Sequence, residues 1–166
     1  MPDPAPEAVD WIDGATRLFA IVGDPVAQVR SPEMITAALR AHGANAVLFP
    51  AQVPGERFET ATRGLMALGN LDGLVITLPH KRAALSLADA LGPQAEAVGA
   101  INVLARAPDG RWHGEMFDGI GAVAALHAQG HVLAGRRVHL IGAGGAGAAI
   151  AVAIAFERPA LLRIFD

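Results

Sequence analysis

The sequence predicts an α/β fold in which helices cover a mostly parallel sheet. Short apolar, β-branched runs alternate along the chain with segments whose apolar residues recur at helical spacing. This alternation is typical of parallel or mixed sheets wrapped by helices. The chain has 166 residues, 52% of them hydrophobic and 17% charged, which is enough apolar material for one large core or two small ones.

The first half of the chain predicts three strands, each followed by a helix. Ser31 is expected to cap the first helix, with Pro32 at its first helical position. Gly43 and Gly69 are expected to end the first and second helices. The predicted strands cover residues 18–22, 46–49 and 74–78, and the predicted helices cover residues 31–42, 54–68 and 81–91.

The second half predicts a hairpin and then a new βαβ unit. The hairpin is formed around a turn with the sequence A-P-D-G, residues 107–110. Its strands are 101–105 and 111–114, and the later elements are a helix at 118–129, a strand at 137–141, a helix at 144–156 and a strand at 161–165. We therefore divide the chain into a flexible lead-in (1–17), a first α/β domain (18–118) and the start of a second domain (119–166).

The composition excludes several classes of protein. A net charge of -3 and a sequence pI near 6.0 leave no basic surface for nucleic acid. The absence of cysteine excludes a disulfide framework and Cys-ligated metal. Residues 1–7, acidic and proline-rich, predict a frayed lead-in rather than a signal peptide, and the most apolar stretch, 143–156, is too short to span a membrane. We expect a soluble cytoplasmic protein that acts on a small molecule, with a homodimer as a candidate assembly.

A glycine loop opens the last predicted helix. Gly142, Gly144 and Gly147 fit the pattern G-x-G-x-x-G, with a strand before it and a helix after it. These glycines allow a tight turn and a close approach of the backbone to a pyrophosphate at the helix N-terminus. The pattern predicts the first part of a Rossmann dinucleotide-binding domain, with a closely packed helix as the alternative. The predicted cofactor contacts are Gly142, Gly144, Gly145, Ala146, Gly147 and Asp166.

Asp166 follows the last predicted strand, 22 positions after Gly144. An acid at this place can bond the ribose 2′-hydroxyl of a dinucleotide and would repel a 2′-phosphate. The residue therefore favours NAD over NADP. Because it is also the last residue of the sequence, we keep both NADP and NAD as candidate cofactors.

Lys81 follows a predicted core strand and Pro79. A lysine in the first turn of a helix is electrostatically unfavourable, and the C-terminal edge of a parallel sheet is where α/β proteins bind ligands. Asn102 and Asp118 are expected at the same edge. Each also has a simpler interpretation: Lys81 as a solvated lysine, Asn102 as a turn residue and Asp118 as a helix N-cap.

Five motifs, taken in order, resemble those of the shikimate dehydrogenase family. They are G-D-P-V-A-Q-V-R-S-P, V-I-T-L-P-H-K, G-A-I-N-V-L, F-D-G-I-G and G-A-G-G-A-G, and the similarity runs from about residue 18 to the end of the sequence. The resemblance implies an N-terminal α/β substrate-binding domain and a Rossmann domain that binds NADP or NAD. It also implies hydride transfer between the nicotinamide and a secondary hydroxyl of shikimate, quinate or a related cyclic hydroxy acid.

The resemblance assigns roles to five residues. Lys81 and Asp118 match the family's polar pair at the reacting oxygen. Ser31, Thr77 and Asn102 match its substrate-binding residues. Oxidation of a secondary alcohol requires removal of a proton as the hydride leaves, and a lysine beside a carboxylate can accept it, which is worth roughly 10²–10⁴-fold in rate.

Three positions depart from the family pattern. Val29, Val75 and Phe117 stand where the family has serine, asparagine and threonine. Each lost polar partner costs ~1–3 kcal/mol where the other partner is left unpaired. The departures favour a different or less polar substrate than shikimate, unless Arg30 supplies a replacement contact. They also leave open a non-catalytic binding protein that keeps the fold.

The six histidines predict no metal site. They are scattered through the sequence, and His127 and His131, although four residues apart, have no acid nearby in the sequence. His80, which precedes the candidate lysine, is expected to pack in the core.

Overall fold

The computed structural model describes residues 12–166. Most of the predicted lead-in, residues 1–11, therefore lies outside the described residues. The described part of the lead-in forms specific contacts with the rest of the chain. Thr16 is 2% exposed, and its Oγ1 donates a 2.7 Å hydrogen bond to Asn45 Oδ1. Asn45 Nδ2 in turn donates to Asp13 Oδ1 at 3.0 Å. These bonds hold residues 13–16 against the segment that leads into the second strand.

The described residues form eight strands in two sheets. The strands are β1 (Arg17–Gly23), β2 (Ala46–Gln52), β3 (Leu71–Ile76), β4 (Ala90–Leu91), β5 (Val103–Arg106), β6 (Trp112–Glu115), β7 (Arg137–Ile141) and β8 (Leu161–Phe165). The main sheet has the order β2-β1-β3-β5-β6-β4. In it β1, β2 and β3 run parallel, β5 and β6 form an antiparallel hairpin beside β3, and β4 pairs in parallel with β6. The second sheet is the parallel pair β7-β8.

Five α-helices complete the described part of the chain. They are α1 (Ser31–Ala41), α2 (Phe58–Met66), α3 (Pro93–Val98), α4 (Phe117–Ala128) and α5 (Gly145–Phe156), with 3₁₀ turns at Gly55–Arg57 and Ala83–Leu87. Strands and helices alternate as the sequence indicated. The predicted α/β class with a mostly parallel sheet is confirmed.

The main apolar core lies against β1, β3 and the hairpin. Its large, fully buried side chains include Leu71, Leu74, Ile76, Ile101 and Leu104. Burial of each such side chain stabilises the fold by roughly 1.5–3 kcal/mol. Because Leu71, Leu74 and Ile76 lie on β3, and Ile101 and Leu104 lie at the start of the hairpin, the core fixes the segments that carry the candidate site.

Most predicted elements are present with small shifts at their ends. β7 and β8 have the predicted bounds, whereas β3 ends at Ile76 instead of residue 78. The helix α1 begins at Ser31, and Arg30 occupies the N-cap position without a side-chain cap bond. The prediction that Ser31 caps this helix is therefore wrong. Gly43, with φ of +75°, follows the helix end as predicted, because the left-handed region favours glycine.

The predicted helix at residues 81–91 is wrong. Only the 3₁₀ turn Ala83–Leu87 forms, and Ala88 is extended, with φ of -88° and ψ of 136°. The reason lies in the sheet: Asp89 N–H donates to the Trp112 carbonyl at 2.8 Å, which draws β4 alongside β6. Strand pairing thus outweighs the helix propensity of the alanines and leucines in this segment.

The short helix α3 was not predicted. Gly92 occupies its N-cap position, and Pro93 is its first residue. Proline is favoured at the first position of a helix, because its missing N–H would have no partner there. Glu115 Oε1 accepts a 2.7 Å hydrogen bond from the Ala95 N–H in its first turn. The Glu115 carboxylate occupies the place where a Cβ on Gly92 would lie. The helix ends at Gly99, whose φ is +67°.

The helices α4 and α5 pack closely through a glycine. Gly119 on α4 is buried, and a Cβ there would meet the Ala149 carbonyl of α5 and lie 2.8 Å from Ala153 Cβ. A second apolar cluster contains Val123 of α4, Ala153 and Ile154 of α5, and Leu133 from the segment before β7. Ala149 also belongs to the main core. The contact between α4 and α5 therefore connects the main core with the elements around the second sheet.

We predict that Gly119→Ala destabilises the protein and that Gly121→Ala does not. Both positions lie on α4, where alanine gains up to about 1 kcal/mol of helix propensity over glycine. At Gly119 overpacking against α5 costs about 1–3 kcal/mol and outweighs that gain. At Gly121 nothing lies within 4 Å of the added Cβ. Denaturant unfolding measures the difference in the free energy of unfolding between the two variants. Equal values would contradict a close contact between α4 and α5 at Gly119.

Arg17 and Asp72 form an ion pair between the neighbouring strands β1 and β3. Arg17 Nε donates to Asp72 Oδ2 at 2.8 Å, and Arg17 Nη2 donates to Oδ1. The hydrogen bond from Arg17 holds the pKa of the Asp72 carboxyl below its ordinary value. A carboxyl whose pKa is depressed by folding stabilises the folded state above its ordinary pKa, about 3.9 for aspartate, and the contribution is lost as the pH falls through the folded-state value.

We expect Asp72→Asn to lower the free energy of unfolding at pH 7, with a difference from the unmodified protein that shrinks below about pH 4. Urea unfolding of the variant and of the unmodified protein, at pH 7 and at pH 3, measures this difference in the free energy of unfolding. Glu56→Gln, which changes an exposed acid in the first 3₁₀ turn, is the control for loss of a negative charge. A difference of the same size at both pH values would show that the carboxylate charge is not responsible.

Candidate active site

Lys81 and Asp118 meet at the end of the main sheet, although 37 positions separate them in the chain. Lys81 Nζ donates to Asp118 Oδ2 at 2.5 Å. The two side chains are 17% and 26% exposed, so the ion pair is largely withdrawn from water. Charges in such a setting interact more strongly than a pair on the open surface. The structure thus brings together the two residues that the sequence singled out as a pair.

Asn102 orients the Asp118 carboxylate. Its Nδ2 donates to Asp118 Oδ1 at 2.6 Å, and its Oδ1 accepts a hydrogen bond from Phe117 N–H at 2.8 Å. The backbone of Asn102 is fixed as well, because its carbonyl accepts from Ile76 N–H at 2.7 Å and its N–H donates to the Glu115 carbonyl at 3.0 Å. Both carboxylate oxygens are therefore held, one by Lys81 and the other by this carboxamide.

Asp118 lies in the first turn of α4, after Met116 at the N-cap position. The helix N-terminus carries partial positive charge, which stabilises a carboxylate there. The carboxylate oxygens accept hydrogen bonds from Lys81 and Asn102. Asp118 is therefore not the N-cap residue of α4, and the simpler interpretation is wrong.

Lys81 lies in a turn that is anchored in the core. The preceding residue, His80, is 3% exposed, with Nε2 at 2.7 Å from the Val53 carbonyl and its ring stacked on Phe58 at a centroid distance of 4.3 Å. On the other side the Lys81 carbonyl accepts a 2.9 Å hydrogen bond from Ile101 N–H. His80 therefore packs as predicted, and the turn rather than a helix positions the lysine.

Lys81 is also the single lysine of the 166-residue sequence, in which all twelve other basic residues are arginines. An arginine keeps its proton at any pH that a protein tolerates, whereas a lysine amine can release one. This signal lies in the composition of the sequence and is independent of the motifs that predict Lys81. Its burial and its pairing with Asp118 distinguish Lys81 from a solvated surface cation.

Ser31 and Thr77 keep free hydroxyls. Thr77 follows β3, and its N–H donates to the Val22 carbonyl at 2.9 Å, which fixes its backbone. Ser31 is half-buried at the first residue of α1. Among residues 12–166 neither hydroxyl forms a hydrogen bond, so both are available to a ligand. The structure does not link either of them to the Lys81–Asp118–Asn102 cluster by a hydrogen bond.

Two of the three residues that depart from the family pattern lie on β3 and at the start of α4. Val75 is half-buried on β3, in register with Ile21 on β1. Phe117, which precedes Asp118, is 47% exposed. Arg30, the proposed replacement contact, forms an exposed ion pair with Glu33 at 2.6 Å instead.

The glycine loop has the geometry that its pattern predicts. Gly142 has φ of +93°, and its N–H donates to the Phe165 carbonyl at 2.7 Å. A Cβ on Gly147 would run into the Gly142 carbonyl, so these two glycines allow the loop to fold onto the start of α5. The Ala148 N–H donates to the Gly144 carbonyl at 2.8 Å and begins the helix.

Asp166 lies beside this loop. Its Oδ1 accepts a 2.9 Å hydrogen bond from Ala143 N–H. The parallel register of β7 and β8, with Ile141 opposite Phe165, brings the end of β8 to the loop. The acid is thus held next to the glycine loop, and its contact with a ribose stays a prediction.

A cavity of about 160 Å³ lies between the Lys81 turn and the start of α5. Its lining includes Leu78, Lys81, Arg82, Val98, Gly145 and Ala148. The candidate lysine and the glycine loop therefore face one common space.

The described part of the chain holds no group of three or more His, Asp or Glu side chains arranged to bind a metal ion. His127 Nε2 does lie 3.2 Å from Glu157 Oε2, an acid that the sequence analysis missed because it comes thirty positions later. Of the described helices, none combines the length and the apolar character that a membrane crossing requires.

Comparison with known proteins gives a consistent result. The family model of the shikimate dehydrogenase substrate-binding domain matches residues 21–104. A shikimate dehydrogenase (NADP(+)) of Anaeromyxobacter dehalogenans strain 2CP-1 is 48% identical over 143 residues, which cover 86% of this chain and 50% of the relative. The chain spans about half the length of the curated relatives that it matches.

Solved structures show the same fold. Shikimate 5-dehydrogenase from Listeria monocytogenes, in complex with shikimate and NAD, has a TM-score of 0.85 and 31% identity, over 92% of this chain and 52% of that one. The ligand-free 5-ketofructose reductase of Gluconobacter sp. strain CHM43 has a TM-score of 0.83 and 32% identity, over 90% of this chain and 53% of that one.

We predict that Asn102 and Asp118 are energetically coupled. Asn102→Ala leaves the Phe117 N–H and one Asp118 oxygen without their partner, which lowers the free energy of unfolding by about 1–3 kcal/mol. A double-mutant cycle with Asp118→Ala, followed by urea unfolding, is expected to give a coupling energy of at least about 0.5 kcal/mol. Strictly additive effects would show that the carboxamide does not hold the carboxylate in solution.

Proposed function

This chain belongs to the shikimate dehydrogenase family, and on that premise we propose that it acts as an NAD(P)-dependent oxidoreductase. The reaction is hydride transfer between the cofactor and a secondary hydroxyl of shikimate, quinate or a related cyclic hydroxy acid. One observation carries the proposal: Lys81, whose Nζ lies 2.5 Å from Asp118 Oδ2, lines a cavity that Gly145 of the glycine loop also lines. The relatives' names, shikimate dehydrogenase (NADP(+)), support the same reaction.

The two charged residues divide the proton chemistry. In the oxidation the Lys81 amine takes the proton of the substrate hydroxyl while the carbon gives up its hydride, and in the reduction the Lys81 ammonium returns it. Asp118 holds the amine in place and stabilises its charged form, and Asn102 fixes the carboxylate. Such positioned proton transfer contributes roughly 10²–10⁴-fold in rate. Bound NAD(P) supplies the hydride acceptor or donor.

The described residues fit a dinucleotide. The folded glycine loop leaves room for the backbone to approach a pyrophosphate at the N-terminus of α5, a twelve-residue helix. We propose contacts from Gly142, Gly144, Gly145, Ala146 and Gly147. Asp166, held beside the loop by Ala143 N–H, supports a preference for NAD, because its carboxylate would repel a 2′-phosphate.

For the substrate we propose contacts from Ser31, Thr77 and Asn102. The free hydroxyls of the first two support this, and Asn102 keeps a second amide hydrogen that Asp118 does not use. Val29, Val75 and Phe117 supply no hydrogen bond where the family pattern has polar side chains. We therefore expect weaker binding of shikimate than in relatives that keep those groups.

The proposal includes a division of labour within the chain, with residues 18–118 binding substrate and residues 119–166 binding the cofactor. The separate cluster of Val123, Leu133, Ala153 and Ile154 supports this division. A cytoplasmic location, a role in aromatic amino acid biosynthesis and a homodimer stay predictions.

We expect the complete protein to reduce NAD in the presence of shikimate or quinate, with NAD used more efficiently than NADP. Reduced nicotinamide is followed by its absorbance. Lys81→Arg keeps a cation beside Asp118 but cannot release a proton, so kcat falls by roughly 10²–10⁴-fold. Arg57→Lys, the reverse exchange at an exposed position, is the matched control and keeps full activity.

Two results would contradict the proposal. Undiminished turnover by Lys81→Arg would remove the proposed proton transfer. Absence of turnover with every pairing of substrate and cofactor, together with measurable shikimate or quinate binding, would instead favour a non-catalytic binding protein, the function that the three apolar departures leave open.

A further inference from the structure

Arg82 contributes a second cation to the cavity between the Lys81 turn and α5. It lines this cavity together with Lys81, opposite Gly145 and Ala148 in the first turn of the helix. It is exposed, and it occupies the N-cap position of the 3₁₀ turn Ala83–Leu87 without a side-chain cap bond. Its guanidinium therefore has no structural role in ending or starting a helix.

The charge of Arg82 is not balanced within the described residues. Lys81 is paired with Asp118, whereas no ion pair or side-chain hydrogen bond of residues 12–166 involves Arg82. The remaining named lining residues are apolar or glycine. Of the two cations at the cavity, Lys81 is neutralised by Asp118 and Arg82 keeps its full positive charge. This charge favours an anionic ligand.

The glycine loop on the opposite side lacks any cation of its own. Residues 142–149 are glycine and alanine throughout, so the loop offers a pyrophosphate only backbone N–H groups and the helix dipole. A dinucleotide carries two negative charges at that group. An arginine guanidinium is well suited to bind phosphate oxygens, because its planar fork of donors matches their geometry.

We propose that Arg82 binds a pyrophosphate oxygen of the dinucleotide and clamps the cofactor against α5 from the side of the main sheet. This inference rests on the proposed function and names a contact that the glycine pattern does not include. Arg82 directly follows Lys81, so the bound pyrophosphate also steadies the turn that carries the lysine. Cofactor binding and positioning of the reactive amine are thereby linked.

Arg82→Gln tests this contact in the complete protein. We expect the Kd of NADH, measured by its fluorescence, to rise about tenfold or more, since a hydrogen bond to a charged group is lost. ADP-ribose, which keeps the pyrophosphate and lacks the nicotinamide, is expected to lose the same factor as a competitor. The KM of the hydroxy acid stays unchanged, and Arg82→Lys restores part of the affinity.

Arg57→Gln is the matched control. Arg57 also occupies the N-cap position of a helix, α2, without a side-chain cap bond, and it is exposed away from the cavity lining. This variant should bind NADH as the unmodified protein does. Equal thermal unfolding temperatures of the two glutamine variants show that folding is not the cause of a difference.

The outcomes separate this inference from the proposed function. NADH binding that is unchanged in Arg82→Gln overturns the clamp and leaves the oxidoreductase intact. A loss of NADH affinity without a loss of ADP-ribose affinity overturns it too, because Arg82 then acts on the nicotinamide end. If the unmodified protein binds neither NADH nor NADPH, both proposals fail.

Discussion

The ion pair between Lys81 and Asp118 is the constraint on which the rest of the site depends. It joins the turn after β3 to the first turn of α4. Between these two segments the chain forms the whole β5–β6 hairpin. Removal of one partner would leave the other as a poorly solvated charge, which costs far more than an exposed pair gains. The elements that carry them must therefore be held in register by the core, and His80 and Asn102 supply the fixed points.

Asn102 shows how one side chain can serve structure and chemistry together. Its backbone extends the bonding between β3 and the hairpin, and its carboxamide connects the N-terminus of α4 to the Asp118 carboxylate. A buried polar group without partners would be costly, and here the carbonyl oxygen and one amide hydrogen are satisfied within the protein. The remaining amide hydrogen has no partner among the described residues. The orientation of the acid is thus built into the fold before any ligand arrives.

The parts predicted correctly from the sequence are those governed by local rules. Apolar alternation located β7 and β8, and the spacing of glycines located the loop before α5. The segment after Lys81 was misjudged because its alanines and leucines suit a helix, while bonds to the distant β6 decided its structure. The role of Asn102 in holding Asp118, and the contact of Glu157 with His127, could not be predicted because both depend on which distant elements become neighbours.

The presence of one lysine in the sequence has a practical consequence. In the 166-residue chain, isotopic labelling of lysine alone would place one side-chain reporter in the ion pair with Asp118. The protonation of the amine could then be followed directly by magnetic resonance as ligands are added.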